Sequence, residues 1–563
     1  MEQLIVGLSP SLPLPQRIPP PPPPSRGLAG VRGSTVINVA LPASPAPRVG
    51  LRPLPPPPAP SGPRPHVLVR SRRYVLTFPH SAPSVPGHFW HISDLHYDVN
   101  FSSDGDIRHN CRRWSGNGNG VGMGENRRPE GRFGDFHCDA PLLLLESATA
   151  AMKDIAKEVD FVLWTGAGPV SGHEAGLTQV TQLLLRAFTS QFVFPVLGPD
   201  MRHADHYKQA AEIWRNWLPE EAMQTFYKGG YYTIEQKSKP LRIVALNTNL
   251  WLDSPGSGRG GYAGGYARDA WGEQRRMGVV REPWEVRENR VLHDEDPANQ
   301  WRWLEDELHK ARAAKKTVYL VGHTAPGADD RVANPTLSSG HGGLLEHHNT
   351  RFLKLVKRHA DIIVGQFFSN RHSDTFRVVY NESMSPVSWM LMPPSVTPRR
   401  TQGGPNNPGI RLYKYDNSTG NVLDFSQYYL DLKRANREGR AEWQLGYNLT
   451  SYYFPMREVS AQSFHKLAES FTNPEIGLPI FRRYYRANSA FLYDGPESCW
   501  PNCQRYHYCA ITRLLYSDYR TCLESPASAL PSSGASAPHH DLAVVLAAAA
   551  VTALAAAALR PPS

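Results

Sequence analysis

The first 86 of the 563 residues contain no lysine and one acidic residue, Glu2, against nine arginines. That segment therefore carries +8 of the formal +10, leaving only +2 for everything after it. The high charge gives no basis for a nucleic-acid surface in the folded part, because the arginines are scattered among prolines and form no basic amphipathic helix. No nucleic-acid polymer is expected as a partner. Also missing at the N-terminus is a basic start followed by an apolar stretch. Met1 to Pro24 runs instead into polyproline, so no signal peptide is recognisable there. Cysteine is scarce: Cys111 and Cys138, then Cys499, Cys503, Cys509 and Cys522. The last four are separated by three, five and twelve residues, which suits neither a zinc ribbon nor a finger.

What residues 1–86 do hold is proline, glycine, serine and arginine, with proline runs at Pro19–Pro24 and Pro55–Pro58. They offer too little apolar surface to offset the entropy of ordering, so disorder or polyproline II is expected. From Gly87 short apolar runs alternate with helical periodicity. Strands are expected at Phe89–Ile92, Asp160–Trp164, Phe192–Leu197, Leu241–Asn247, Thr317–Gly322, Asp361–Phe367 and Ile410–Tyr415. Most end in Gly, Asn or His, as buried strands with functional loops at their tips should. Helices are expected at Leu142–Glu158, Leu177–Ser190, His206–Trp217, Pro297–Ala314 and Thr350–His359. In the fourth, Trp301, Leu304 and Leu308 recur at three- and four-residue steps, one apolar face for packing on a sheet. Residues 254–294 break the pattern, first Gly/Arg-rich and then highly charged, and read as a disordered insertion. Residues 425–523 read as helical and contain the four clustered cysteines.

The run Phe89-Trp90-His91-Ile92-Ser93-Asp94-Leu95-His96 puts a carboxylate and an imidazole just beyond a strand, where both can reach one divalent ion. Two later segments are Leu163-Trp164-Thr165-Gly166-Ala167-Gly168 and Gly198-Pro199-Asp200-Met201. Two more are Val321-Gly322-His323-Thr324-Ala325-Pro326-Gly327 and Gln366-Phe367-Phe368-Ser369-Asn370-Arg371-His372-Ser373-Asp374. In this order the five resemble the metal segments of calcineurin-like metallophosphoesterases, in the form used by the acid-sphingomyelinase-like phosphodiesterases. Leu246–Leu250, Gln300–Glu305 and Asn406–Arg411 also resemble segments of that family.

The resemblance implies an α/β metallophosphoesterase sandwich of two mixed β-sheets flanked by helices over residues 87–424. A small helical, disulfide-bonded domain would follow at 425–523. The implied pairings are Cys111 with Cys138, Cys499 with Cys503 and Cys509 with Cys522. In the family two ions about 3.5–4 Å apart share a hydroxide and clamp the phosphate. By resemblance Asp94, His96 and His372 would serve the first ion and His323 the second. Ala167 stands where the bridging carboxylate belongs, and Pro199 where an amide ligand belongs. Asp200 replaces the imidazole that would protonate the leaving group, and Asn370 replaces a histidine ligand. Arg371 would add a positive charge beside the cations and disfavour them. At most one zinc is therefore expected, against two in the family. His173, Glu174, Asp200, His203, Asp205 and His206 are read as exposed loop residues in preference to substitute ligands.

Without a bridging carboxylate and a leaving-group acid, phosphodiester hydrolysis should be severely reduced. The expectation is a pseudoenzyme that binds a phosphate-bearing small molecule or lipid at the cell surface. The alternative is an active zinc phosphodiesterase working through substitute ligands. Four sequons, Asn100, Asn381, Asn417 and Asn448, point to the secretory route, and disulfides fit the same compartment. Residues 524–563 read as a linker and hydrophobic tail. There Ser532–Ser536, a polar spacer to Asp541 and the uncharged Leu542–Leu559 resemble a lipid-attachment signal, with Ser533 or Gly534 as the attachment site. A short transmembrane anchor is the alternative. A secreted chain, or one held on the outer face of the plasma membrane, is expected. Because residues 1–86 resemble nothing in the family, the natural start is expected to differ from Met1.

Overall fold

The computed structural model describes residues 86–113, 128–166, 168, 174–199, 201, 204–235, 239–252, 295–332, 343–493 and 503–525. The polyproline segment up to residue 85, the insertion at 254–294, Cys499 and the tail with Ser533 and Gly534 lie outside the described residues. In chain order the strands are β1 (Gly87–Ile92), β2 (Phe101–Asp106), β3 (Phe161–Trp164), β4 (Phe192–Pro195), β5 (Tyr232–Glu235) and β6 (Leu241–Ala245). They continue with β7 (Thr317–Thr324), β8 (Ile363–Ser369), β9 (Thr375–Tyr380), β10 (Pro386–Met392), β11 (Gly409–Tyr415), β12 (Val422–Leu430) and β13 (Trp443–Asn448).

Two six-stranded mixed sheets result, one ordered β13-β12-β11-β1-β3-β4 and the other β5-β6-β7-β8-β10-β9. Their centres are parallel: β1 with β3, β3 with β4, β6 with β7 and β7 with β8. Strands covered on both faces need no polar face, which is why β3 (Phe-Val-Leu-Trp) and β6 are buried throughout. The sheets meet through aromatic side chains. Phe89 of β1 stacks on Phe161 and Tyr413, each at 4.7 Å between centroids, and meets Phe367 of β8 edge-on at 5.5 Å.

Helices cover the outer faces. Leu144, Leu145, Ala148 and Met152 of helix Leu142–Ile155 are buried in the same core as Leu177, Val180 and Leu184 of helix Glu174–Ala187. On the second sheet the expected stripe Trp301, Leu304 and Leu308 is wholly buried with Val318 and Leu320 of β7. Trp251 stacks on Trp301 at 4.1 Å.

The start of the region read as helical, 425–523, is not helical. Its first part completes the first sheet as β12 and β13, because Phe425 and Gln427 alternate inward with less buried neighbours, and Leu430 is buried beyond a register shift at Gln427/Tyr428. Helices follow at Ala461–Ser470, Gly477–Asn488, Cys503–Thr512 and Tyr516–Glu524. Phe464 packs them onto the second sheet, 5.1 Å from Phe376 and 5.7 Å from Trp389. Disulfides join Cys111 to Cys138 and Cys509 to Cys522, and Cys503 is also disulfide-bonded. Among the sequons Asn100 is exposed. Asn381 is half-buried and its Oδ1 accepts from Ser383 and Ser385 backbone N–H groups, while Asn448 Oδ1 accepts from Ser426 at 2.6 Å. Asn417 is half-buried. Among the described residues no helix is long and apolar enough to cross a membrane.

Candidate metal centre

The candidate ligands sit at the carboxyl ends of parallel strands, where strand-to-loop transitions of separate elements converge. Asp94 and His96 lie two and four residues beyond β1, His323 is the penultimate residue of β7, and Asn370 and His372 follow β8. Asp94, His96, Asn370 and His372 all have positive φ, at 47°, 42°, 71° and 59°. Asp, Asn and His tolerate this left-handed geometry better than most residues. Its cost is sustained by a strap from the loop after β10. Ser395, Val396 and Thr397 donate backbone N–H groups to the carbonyls of His372, Ser93 and Asp94 at 3.0–3.1 Å.

One group of three metal-competent side chains converges among the described residues: Asp94, His96 and His372, with ligand atoms within 4.8 Å of one another. His323 stands beside it, its Nε2 3.9 Å from Asp94 Oδ1, and His372 Nε2 lies 3.7 Å from the same oxygen. The hydrogen bonds behind the rings define their useful faces. His323 Nδ1 lies 2.8 Å from the Thr165 carbonyl, and His372 Nδ1 lies 3.3 Å from the Arg399 carbonyl. A carbonyl only accepts, so each Nδ1 carries the proton and each Nε2 keeps its lone pair. Burial lowers the His372 pKa to about 4, with Asp94 opposing the fall and His96 and His323 adding to it, so the ring is neutral at physiological pH.

Asp94 shows the best fit to a cation. Its Oδ2 accepts the Asn370 N–H at 3.1 Å, but its fully buried Oδ1 has no hydrogen bond and faces two imidazole nitrogens. A buried anionic oxygen opposite two imidazole nitrogens makes a favourable place for a positive charge to lie between them. These donors are of the N/O type that a borderline divalent ion takes.

The other sequence candidates divide. Asn370 acts as a brace, its amide donating to Thr324 Oγ1 at 3.2 Å. The Arg371 expectation needs correction. Its guanidinium is buried, 3.2 Å from Asp329, and donates to the Gly327 carbonyl, so its charge is neutralised by a local partner. Pro199 is half-buried and offers no side-chain donor atom, while the preceding Gly198 carbonyl accepts from Asn249 at 2.7 Å. Glu174 and Asp205 lie exposed at the starts of their helices, and His206 is half-buried. Ala167, His173, Asp200 and His203 lie outside the described residues. Asp374, the last residue of the fifth segment, is turned from the centre onto Arg411 at 2.5 Å.

Three participants were not singled out from the sequence. Ser369 Oγ donates to the Thr165 carbonyl and lies 2.9 Å from His323 Nδ1. Asp139 stands behind His96, its Oδ1 3.5 Å from Nδ1. Its sequence signal was its place beside Cys138, half of a disulfide. Gly166 has φ +89°, and a Cβ there would overlap the His323 imidazole. Gly166→Ala is thus expected to destabilise the fold by at least about 1–2 kcal/mol from the left-handed backbone alone. A urea titration reads this, and a wild-type midpoint would show that neither the left-handed backbone nor the His323 imidazole constrains this position.

A family model for the "Acid sphingomyelin phosphodiesterase C-terminal region" matches residues 385–529. That stretch contains β10 to β13 as well as the closing helices. The "Acid sphingomyelinase-like phosphodiesterase 3b" of Homo sapiens is 32% identical over 469 residues, covering 78% of this chain and 91% of that protein. The "Cyclic GMP-AMP phosphodiesterase SMPDL3A" of Homo sapiens is 31% identical over 464 residues, covering 78% and 91%. The "Sphingomyelinase phosphodiesterase C" of Dictyostelium discoideum is 26% identical over 473 residues, covering 79% and 94%.

Proposed function

We propose, from the premise that this chain belongs to the acid sphingomyelinase-like phosphodiesterase family, that it is a catalytically impaired member binding one divalent metal. Asp94, His96 and His372 would hold that ion, with His323 beside them. The ion is assigned as zinc from the mixture of imidazole and carboxylate donors. When bound, it supplies Lewis acidity and a water of lowered pKa.

The observation that carries the reading is the unevenness of the ligand set. A single cluster converges among the described residues, while Pro199 and Asn370 occupy positions that serve a second ion in the family. Ala167 likewise has no carboxylate to bridge two ions. Asp94, His96 and His372 would hold one ion that supplies Lewis acidity toward a phosphate, and with Ala167 in place of an acid no residue would bridge it to a second. The ligand class is therefore a phosphate-bearing small molecule or lipid, bound more readily than cleaved. The sequons and disulfides favour a secreted chain or one anchored to the outer membrane surface.

Elemental analysis of the secreted protein tests this together with turnover of bis(p-nitrophenyl) phosphate. About one zinc per chain is expected, with turnover no higher than in His96→Ala. Two zinc per chain, with turnover that His96→Ala abolishes, would establish the active alternative.

A further inference from the structure

We propose that Asp139 is a positioning residue for His96 and thereby sets the metal affinity of the centre; the inference rests on the single-metal reading above. Asp139 is fully buried, and Oδ1 faces His96 Nδ1 at 3.5 Å. Oδ2 accepts from Asn110 Nδ2 at 2.8 Å and from the Arg399 guanidinium. The backbone contributes as well. Asp139 N–H donates to Asn110 Oδ1 at 2.9 Å, and the next residue, Ala140, donates its N–H to the His96 carbonyl at 2.8 Å. His96 is therefore faced at its ring by the Asp139 carboxylate and held at its main chain by the next residue, Ala140.

Topology makes this arrangement rigid. Asn110 precedes Cys111 and Asp139 follows Cys138, so the Cys111–Cys138 disulfide joins the two sides of the brace directly. Arg399 links the brace to the second imidazole, because its carbonyl accepts from His372 while its guanidinium holds Asp139. A carboxylate behind Nδ1 keeps the proton on that atom and the lone pair on Nε2, and it makes the ring a stronger ligand. Removing such a group typically costs 10- to 100-fold in metal affinity.

The test is equilibrium dialysis of the full chain against buffered zinc, comparing wild type with Asp139→Asn. At least about tenfold weaker binding is expected in the variant. Because Asp139→Asn also leaves Arg399 without its anion, a second readout uses the wild-type fold alone. In zinc-free protein labelled with 15N-histidine, and assigned with His96→Gln, the His96 ring is expected as the Nδ1–H tautomer. A wild type that binds zinc while Asp139→Asn binds within about threefold of it would overturn this inference alone, as would an Nε2–H ring in the wild type. A wild type that takes up no zinc would overturn the metal reading and this inference together.

Discussion

Asp94→Asn is expected to abolish zinc-dependent stabilisation while leaving the zinc-free protein as stable as wild type or more so. The two halves have one cause. Asp94 Oδ1 is buried without a hydrogen bond, and Oδ2 needs only to accept the Asn370 N–H, which an amide oxygen can also do. The negative charge thus contributes little to the empty fold and carries a desolvation cost. With zinc present the balance reverses, because the carboxylate is the only anionic member of the three-ligand group. Zinc at about a hundred times its Kd should raise wild-type stability by about 2.7 kcal/mol, and that gain should vanish in the variant. Thermal unfolding with zinc and with a chelator measures both. A variant that loses stability in chelator would show that Asp94 is a structural residue. One that keeps the full zinc response would place the ion elsewhere.

The legible part of the fold was the part buried on both faces. The runs that became β1, β3, β4, β6, β7, β8 and β11 are apolar and short, and three of them, β1, β7 and β8, lead into the residues that form the site. The strands β5, β9, β10, β12 and β13 were not read, and each pairs antiparallel with a neighbour. β9 shows why. Its sequence Thr-Phe-Arg-Val-Val-Tyr is wholly buried, yet Arg377 interrupts the apolar run and is accommodated by Asp330 at 2.9 Å and the Ala328 carbonyl at 3.0 Å, both distant in sequence. β10 opens on proline, which demotes a run read from sequence alone. β12 carries Gln427 inward, hydrogen-bonded to Arg411, so its alternation is not an apolar one.

The site divides along similar lines. Ligand types at strand tips can be read from local motifs, and Asp94, His96 and His372 do lie together. Groups that act from behind cannot, since Asp139, Ser369 and Arg399 become relevant only through contacts the chain makes after folding. Charge was also misjudged from local sequence. Arg371 borders the ligands along the chain, but its guanidinium belongs to Asp329. Position along the chain says which residues begin near a centre; the direction of a side chain depends on partners that the local sequence does not display.

Arg411→Met should destabilise the fold by about 3–5 kcal/mol, the cost of leaving a buried charge without its partner. Arg411 on β11 is fully buried, with Nη2 2.5 Å from Asp374 Oδ1, Nε 2.7 Å from Gln427 Oε1 and the guanidinium 4.0 Å from the Phe425 ring centroid. Burial works against its charge, but Asp374 beside it outweighs that and raises its pKa. Asp374 immediately precedes β9 of the other sheet and also accepts from Tyr447 at 2.7 Å, so the pair ties both sheets together two residues from His372. Methionine keeps an unbranched apolar stem while removing the charge, leaving the Asp374 carboxylate stranded in the core. Adding Asp374→Asn to Arg411→Met should therefore recover part of the loss, because the neutral amide still accepts from Tyr447. Urea midpoints of the wild type, both single variants and the double variant complete the cycle. A double variant no more stable than Arg411→Met would mean that lost packing around the guanidinium, and not the unpaired carboxylate, is the dominant cost.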